Sequence, residues 1–123
     1  WMHKNKVDYT NTFCFLMNKQ FSDNEIYNDK NFLIWKEKWK NRLKINNNSQ
    51  EKYIKLMHSV NPLIIPRNHK VEEALAAAND GNLEVMNKLL TVFEKPYENQ
   101  SDITDFQSPA PPSNKAYQTF CGT

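Results

Sequence analysis

The stretch RNHKVEEALAAANDGNLEVMNKLLTVF, residues Arg67 to Phe93, decides the fold. Val71, Ala74, Leu75 and Ala78 recur at helical spacing, and Asn79-Asp80-Gly81 then supplies a C-terminal stop, because glycine takes the left-handed conformation that ends a helix at little cost. Leu83, Met86, Leu89, Leu90 and Phe93 resume the same period a few residues later, with the closest fit to a helix anywhere in the chain. So short a connection brings the two segments back on each other as an antiparallel helical hairpin.

Upstream of this hairpin the chain reads as more helices. Asp8 stands before a segment with Phe13, Leu16 and Met17 on one face, and its carboxylate is suited to accept from the first-turn N–H groups, so a helix is expected from about Asp8 to Asn18. Ser22 to Asp29 reads as loop. Phe32, Trp35, Trp39 and Leu43 then line one face of a helix over Asn31–Leu43. Ser49 caps a further helix that buries Tyr53, Ile54, Met57 and Val60 and stops at Asn61-Pro62. The run Pro62-Leu63-Ile64-Ile65-Pro66 is apolar but held extended by its prolines, and is expected to cross the helices as a buried connector. The expected fold is all-α: a bundle of about five helices over residues 1–95, followed by an extended Pro-rich tail, 96–123. The isolated aromatics Tyr97, Phe106, Tyr117 and Phe120 would pin that tail to an apolar surface.

Composition excludes several function classes. Sixteen basic residues against 14 acidic ones give a net charge of +2, which is not the footprint of a nucleic-acid binder. The concentration Lys36, Lys38, Lys40, Arg42 and Lys44 alternates with tryptophans, but the helical wheel puts the tryptophans on one side and most of the lysines elsewhere, as in any helix with a solvated face. No apolar run approaches a membrane span, and no secretory leader is evident, so a cytoplasmic setting without membrane or nucleic-acid partners is the expectation. With Gly81 and Gly122 as its only glycines, the sequence has no Gly-rich loop to bring backbone N–H groups against a phosphate.

Candidate chemistry is sparse. His3, His58 and His69 fall on separate predicted elements, Cys14 and Cys121 lack neighbouring ligands at metal spacing, and no nucleophile, base or metal set can be assembled. No catalytic residue and no cofactor are therefore expected in this chain. Arg67, Asn68 and His69 precede a helix, where polar side chains and free N–H groups are suited to receive an anion or a carboxylate from another domain. The plainer reading is that Asn68 caps the helix while Arg67 ties down nearby carbonyls. Cys14, between Phe13 and Phe15, reads as a small buried apolar residue. Cys121, third from the end of the sequence, is a candidate for thiol–disulfide exchange.

The order of these motifs carries a resemblance. Asp8-Tyr9-Thr10-Asn11-Thr12-Phe13 comes first, then Trp35 and Trp39 with Arg42-Leu43, then Met57 leading to Val60-Asn61-Pro62. Arg67-Asn68 with the Ala-rich helix, Pro96-Tyr97 and the near-terminal cysteine complete the series. Taken together they resemble the C-terminal region of the SelO family, also called UPF0061 or YdiU, of pseudokinase-fold protein adenylyltransferases. The resemblance implies a parent enzyme that uses ATP with Mg or Mn to transfer AMP to Ser, Thr or Tyr hydroxyls of protein substrates. Its catalytic residues would lie in an upstream kinase-like domain of the same polypeptide, and Trp1 would begin in mid-domain. It also implies that Cys121 occupies the position of a redox-active selenocysteine or cysteine, although Cys121-Gly122-Thr123 departs from the more usual Cys-Ser-Ser and Cys14 stands where Arg is usual. The alternative from another class is a free-standing helical module whose aromatics Tyr97, Phe106 and Tyr117 dock a partner protein.

Overall fold

The computed structural model describes residues 1–18, 24–45, 49–101 and 103–111. Among these residues every regular element is helical. In chain order they are α1 (Met2–Asn5), α2 (Tyr9–Asn18), a 3-10 turn (Glu25–Asn28), α3 (Lys30–Ile45), α4 (Gln50–Val60), α5 (Asn68–Asn79), α6 (Glu84–Phe93) and α7 (Thr104–Gln107).

Capping side chains set the starts of α2, α3 and α4. Asp8 Oδ1 accepts from Asn11 N–H at 2.8 Å and starts α2. Asp29 Oδ1 accepts from the N–H groups of Asn31 and Phe32 at 2.9 and 3.1 Å and starts α3. Ser49 Oγ accepts from Lys52 N–H at 3.3 Å and starts α4. Each satisfies donors that the first helical turn leaves without partners. At the other end of α5, Gly81 at φ 86° lets Asn82 N–H reach Ala77 O at 2.8 Å and Gly81 N–H reach Ala78 O at 3.0 Å. This is the paired closure that a left-handed glycine permits, and it turns the chain straight into α6. The hairpin read from Arg67 to Phe93 is therefore present.

The α5–α6 hairpin packs with α2 and the Leu63-Ile64 connector around Cys14, Met17, Ala74, Leu89 and Val92. Leu63 and Ile64 are among the most buried side chains, as expected of the proline-bounded connector, and Leu63 N–H donates to Pro96 O at 2.7 Å. A second cluster is aromatic. Phe15 stacks on Tyr27 with ring centroids 4.1 Å apart and planes 5° apart, and Phe32 lies against Tyr27, Phe15 and Trp1. Met57 packs against both clusters and joins them.

Five features differ from the sequence reading. Residues 25–28, read as loop, form a 3-10 turn that buries Tyr27. Trp1, assigned no contact from the sequence, is tied down: its indole N–H donates to Asp29 Oδ1 at 2.7 Å. Residues 104–107, read as extended tail, make a helical turn that sends Ile103 and Phe106 into the same core as the hairpin. Gln100 Nε2 donates to Val92 O and Lys95 O, so the chain after Pro96 also closes the C-terminal end of α6. Finally, α4 buries none of its residues fully, and α3 only Phe32, although both were read as carrying a buried stripe. Tyr117 and Phe120 lie outside the described residues.

Candidate functional site

The polar centre of the molecule is built where α2, the connector, α5 and α7 converge. Pro66 holds the chain extended into Arg67, whose backbone at φ −85° and ψ 127° is the last non-helical residue before α5. That geometry turns the guanidinium back toward the start of α2. Arg67 Nη1 donates to Asp8 Oδ2 at 2.8 Å and Nη2 to Asp8 Oδ1 at 3.0 Å, a two-point pairing, and Nη2 also donates to Asn11 Oδ1 at 3.2 Å.

From Asn11 the network runs on to α7. Asn11 Nδ2 donates to Gln107 O at 3.0 Å, and Gln107 Nε2 donates to Leu63 O at 3.0 Å. Asn11 and Gln107 are both buried, so each hydrogen bond satisfies a group that water does not reach. One atom departs from this pattern, since Arg67 Nε is buried without a protein partner.

Electrostatics follow from the geometry. Burial opposes the charge on Asp8, but the Arg67 guanidinium and the N–H of Asn11 more than compensate, and the carboxyl is held below its ordinary range. Cys14, buried in the same neighbourhood, is pushed up to about 11, chiefly by burial and further by the Asp8 charge. Its Sγ lies 3.8 Å from Pro62 O and 3.9 Å from Leu63 O. It is a neutral thiol filling space, as its position between two phenylalanines suggested.

On the adjoining face Lys70 Nζ contacts Asp105 Oδ2 at 2.7 Å and Glu73 Oε2 at 3.2 Å. Asp105 raises the lysine's pKa, burial works against it, and Glu73 adds to the rise. This pair fastens α7 to α5 from the outside while Phe106 anchors it from within.

The three residues singled out before α5 therefore separate. Arg67 faces inward and is the N-cap residue of α5 without a side-chain cap; it binds Asp8 and Asn11 rather than loose carbonyls. Asn68 is exposed and its side chain does not cap the helix, while His69 is half-buried on the first turn. His3 sits on α1 and His58 on the last turn of α4, apart from this cluster. Among the described residues no three His, Cys, Asp or Glu side chains gather as a metal site. Cys121 lies outside the described residues. Asn11, Gln107 and the pairing of Asp8 with Arg67 escaped the sequence reading, because the partners stand 44 to 96 positions apart and no local pattern links them.

Fold and site together define a small all-α bundle sealed by an internal ion pair. Its sequence is similar to curated proteins called protein nucleotidyltransferase YdiU. That of Pelagibacter ubique is 50% identical over 123 residues, covering 100% of this chain and 26% of its own length. That of Bacillus mycoides is 46% identical over 99% of this chain and 25% of its length, and that of Nitrosococcus oceani 39% identical over 100% and 25%. Along its whole length the chain is similar to these members of the SelO (UPF0061/YdiU) family. It spans about a quarter of the length of these relatives. No family model matches it, and no solved structure does.

Proposed function

We propose that this chain is the C-terminal helical part of a SelO-type protein adenylyltransferase, in which it supports a kinase-like catalytic portion. The observation that carries this reading is identity of up to 50% along the whole chain with proteins four times its length that are named nucleotidyltransferases. The parent transfers AMP from ATP to Ser, Thr or Tyr hydroxyls of protein substrates in the cytoplasm. ATP with Mg or Mn would supply the activated phosphate and its charge neutralisation. We assign no residue of residues 1–123 to that work. Asp8, the best-placed carboxylate, is engaged by Arg67 and Asn11 and acts as a structural acceptor.

Two further elements belong to this reading. Cys121 is a redox residue that forms a disulfide with a cysteine of the catalytic portion, the two electrons and two protons passing to a small-molecule or protein disulfide that leaves as two thiols. Asn68 and His69, exposed and half-exposed beside the sealed Arg67, face that portion.

The test has two stages. The gene upstream of Trp1 should encode several hundred residues with phosphate-binding and metal-binding motifs; a start codon close to Trp1 would sink the reading. The full-length protein should then incorporate label from ATP labelled at the α-phosphate into protein, while residues 1–123 alone show no metal-dependent ATP binding by calorimetry.

A further inference from the structure

We propose that the outer face of α3, formed by Leu33, Ile34 and Trp35 and continued by the groove toward Trp1, is the seat of the catalytic portion of the same polypeptide. That portion meets it with an apolar surface bordered by carboxylates. The inference rests on the functional reading above and adds which face of this module is covered, and by what chemistry.

The first observation is an apolar run in the wrong place for a solvated helix. Leu33, Ile34 and Trp35 are consecutive and keep 44, 46 and 43% of their surface exposed. Successive helical residues point about 100° apart, so three in a row spread around the outer arc of the helix and no single inward stripe can hold them. Phe32 alone takes the buried side. Exposed runs of this kind are not maintained on a solvated surface without a use. The other exposed leucines, at positions 56, 75, 83 and 90, each lack an exposed large apolar residue beside them in sequence.

The second observation is where the run leads. Trp1, Met2, His3, Phe32 and Trp35 line a mainly apolar groove of about 380 Å³. Trp1 lies 4.7 Å and Trp35 5.8 Å from the Phe32 ring, so the apolar surface is continuous from Trp1 to the exposed run. In a longer polypeptide, whatever precedes Trp1 leaves from the rim of this groove. About three quarters of a relative's length lies outside the matched part, and on the functional reading above that portion precedes Trp1, within short reach of this groove.

The third observation is charge. Helix α3 carries Lys30, Lys36, Lys38, Lys40, Arg42 and Lys44 against Glu37 alone, a net +5, while the whole chain nets +2. Lys38 and Arg42 are exposed. A surface that covers this helix gains from carboxylates at its border, which would also fix its register.

Hydroxyl-radical footprinting read by mass spectrometry tests the assignment. In the full-length protein Leu33, Ile34 and Trp35 should be oxidised several-fold more slowly than in residues 1–123 alone, while Leu56 changes little. Ile34→Asp in the full-length protein should restore oxidation of Trp35. Equal rates for Trp35 in the two forms would overturn the proposal and leave the functional reading intact, as would protection of Leu56 instead. Protection that grows in residues 1–123 with protein concentration would assign the face to a second copy, and protection produced only by anionic vesicles would assign it to lipid; either overturns it. A gene without an upstream catalytic portion removes both readings together.

Discussion

The two halves of this molecule use similar sequence patterns to different ends. On one side α2, α5, α6 and α7 enclose a mixed aliphatic core that includes Leu63, Ile64, Leu89, Ile103 and Phe106. On the other side α3 and α4 also carry apolar residues at helical spacing, yet Phe32 is the only residue of the two helices that is fully buried. Amphipathicity shows that a helix has a face to cover. Whether the cover comes from the same chain is decided by connectivity. The tight turn at Gly81 forces α5 and α6 together, and α7 returns to close them, whereas nothing described in this chain lies over the outer side of α3.

The largest effect that separates the halves is expected at the anchor of α7. Phe106→Ala empties a buried aromatic site and should cost about 4 kcal/mol of unfolding free energy. Leu56→Ala, on the α4 surface with 64% exposure, should stay within about 0.5 kcal/mol. Chemical denaturation of both variants of residues 1–123 makes the comparison. Comparable losses would show that the α3–α4 half is covered within this chain.

The next effect is the ion pair that locks α2 to α5. Side-chain exposure is 9% for Arg67 and 21% for Asp8, so Arg67→Met leaves a carboxylate with little water and one fewer partner. The loss should be about 3 kcal/mol, and the double change with Asp8→Asn should be milder than the two single costs combined. The pH dependence has a definite sign. Since Asp8 is held below its ordinary value when folded, its contribution is present above the unfolded carboxyl range and is lost as pH falls through the depressed folded value. Asp8→Asn should therefore remove part of the acid sensitivity that wild type shows below about pH 4. Stability measured against pH for the two proteins gives the answer.

What could be read in the sequence divides along the same line. Local signals were sufficient for the hairpin: Gly81 stops one helix, and five apolar residues at helical spacing announce the next. Asp8 and Ser49 as caps, the buried proline-bounded connector and the packing role of Cys14 were equally plain, because each depends on neighbours within a few positions. The 3-10 turn at Tyr27 and the helical turn at Phe106 were missed, since four residues are too few for periodicity to show. The candidate site was only half legible. Arg67 was singled out for its place before α5, but its partners Asp8 and Asn11 are set by tertiary return of the chain, and the sequence does not record which way Arg67 turns.

The smallest of these effects probes how closely the first half is sealed. Burial raises the Cys14 thiol from an ordinary 9.0 to about 11, so the folded state keeps its proton after the unfolded chain has begun to lose it. Cys14 is then neutral and stabilising below about pH 9, and its contribution drains away between the unfolded and folded values, on the order of 2 to 3 kcal/mol in all. Tyr27 is raised too and titrates with the same sign, so wild type alone does not isolate the thiol. The difference between wild type and Cys14→Ala does: the stability gap between them should narrow as pH climbs from 8 toward 11. A gap that stays constant across that range would mean that water reaches the Cys14 sulfur, and that the core around Leu63 and Ile64 opens as readily as the surface of α3.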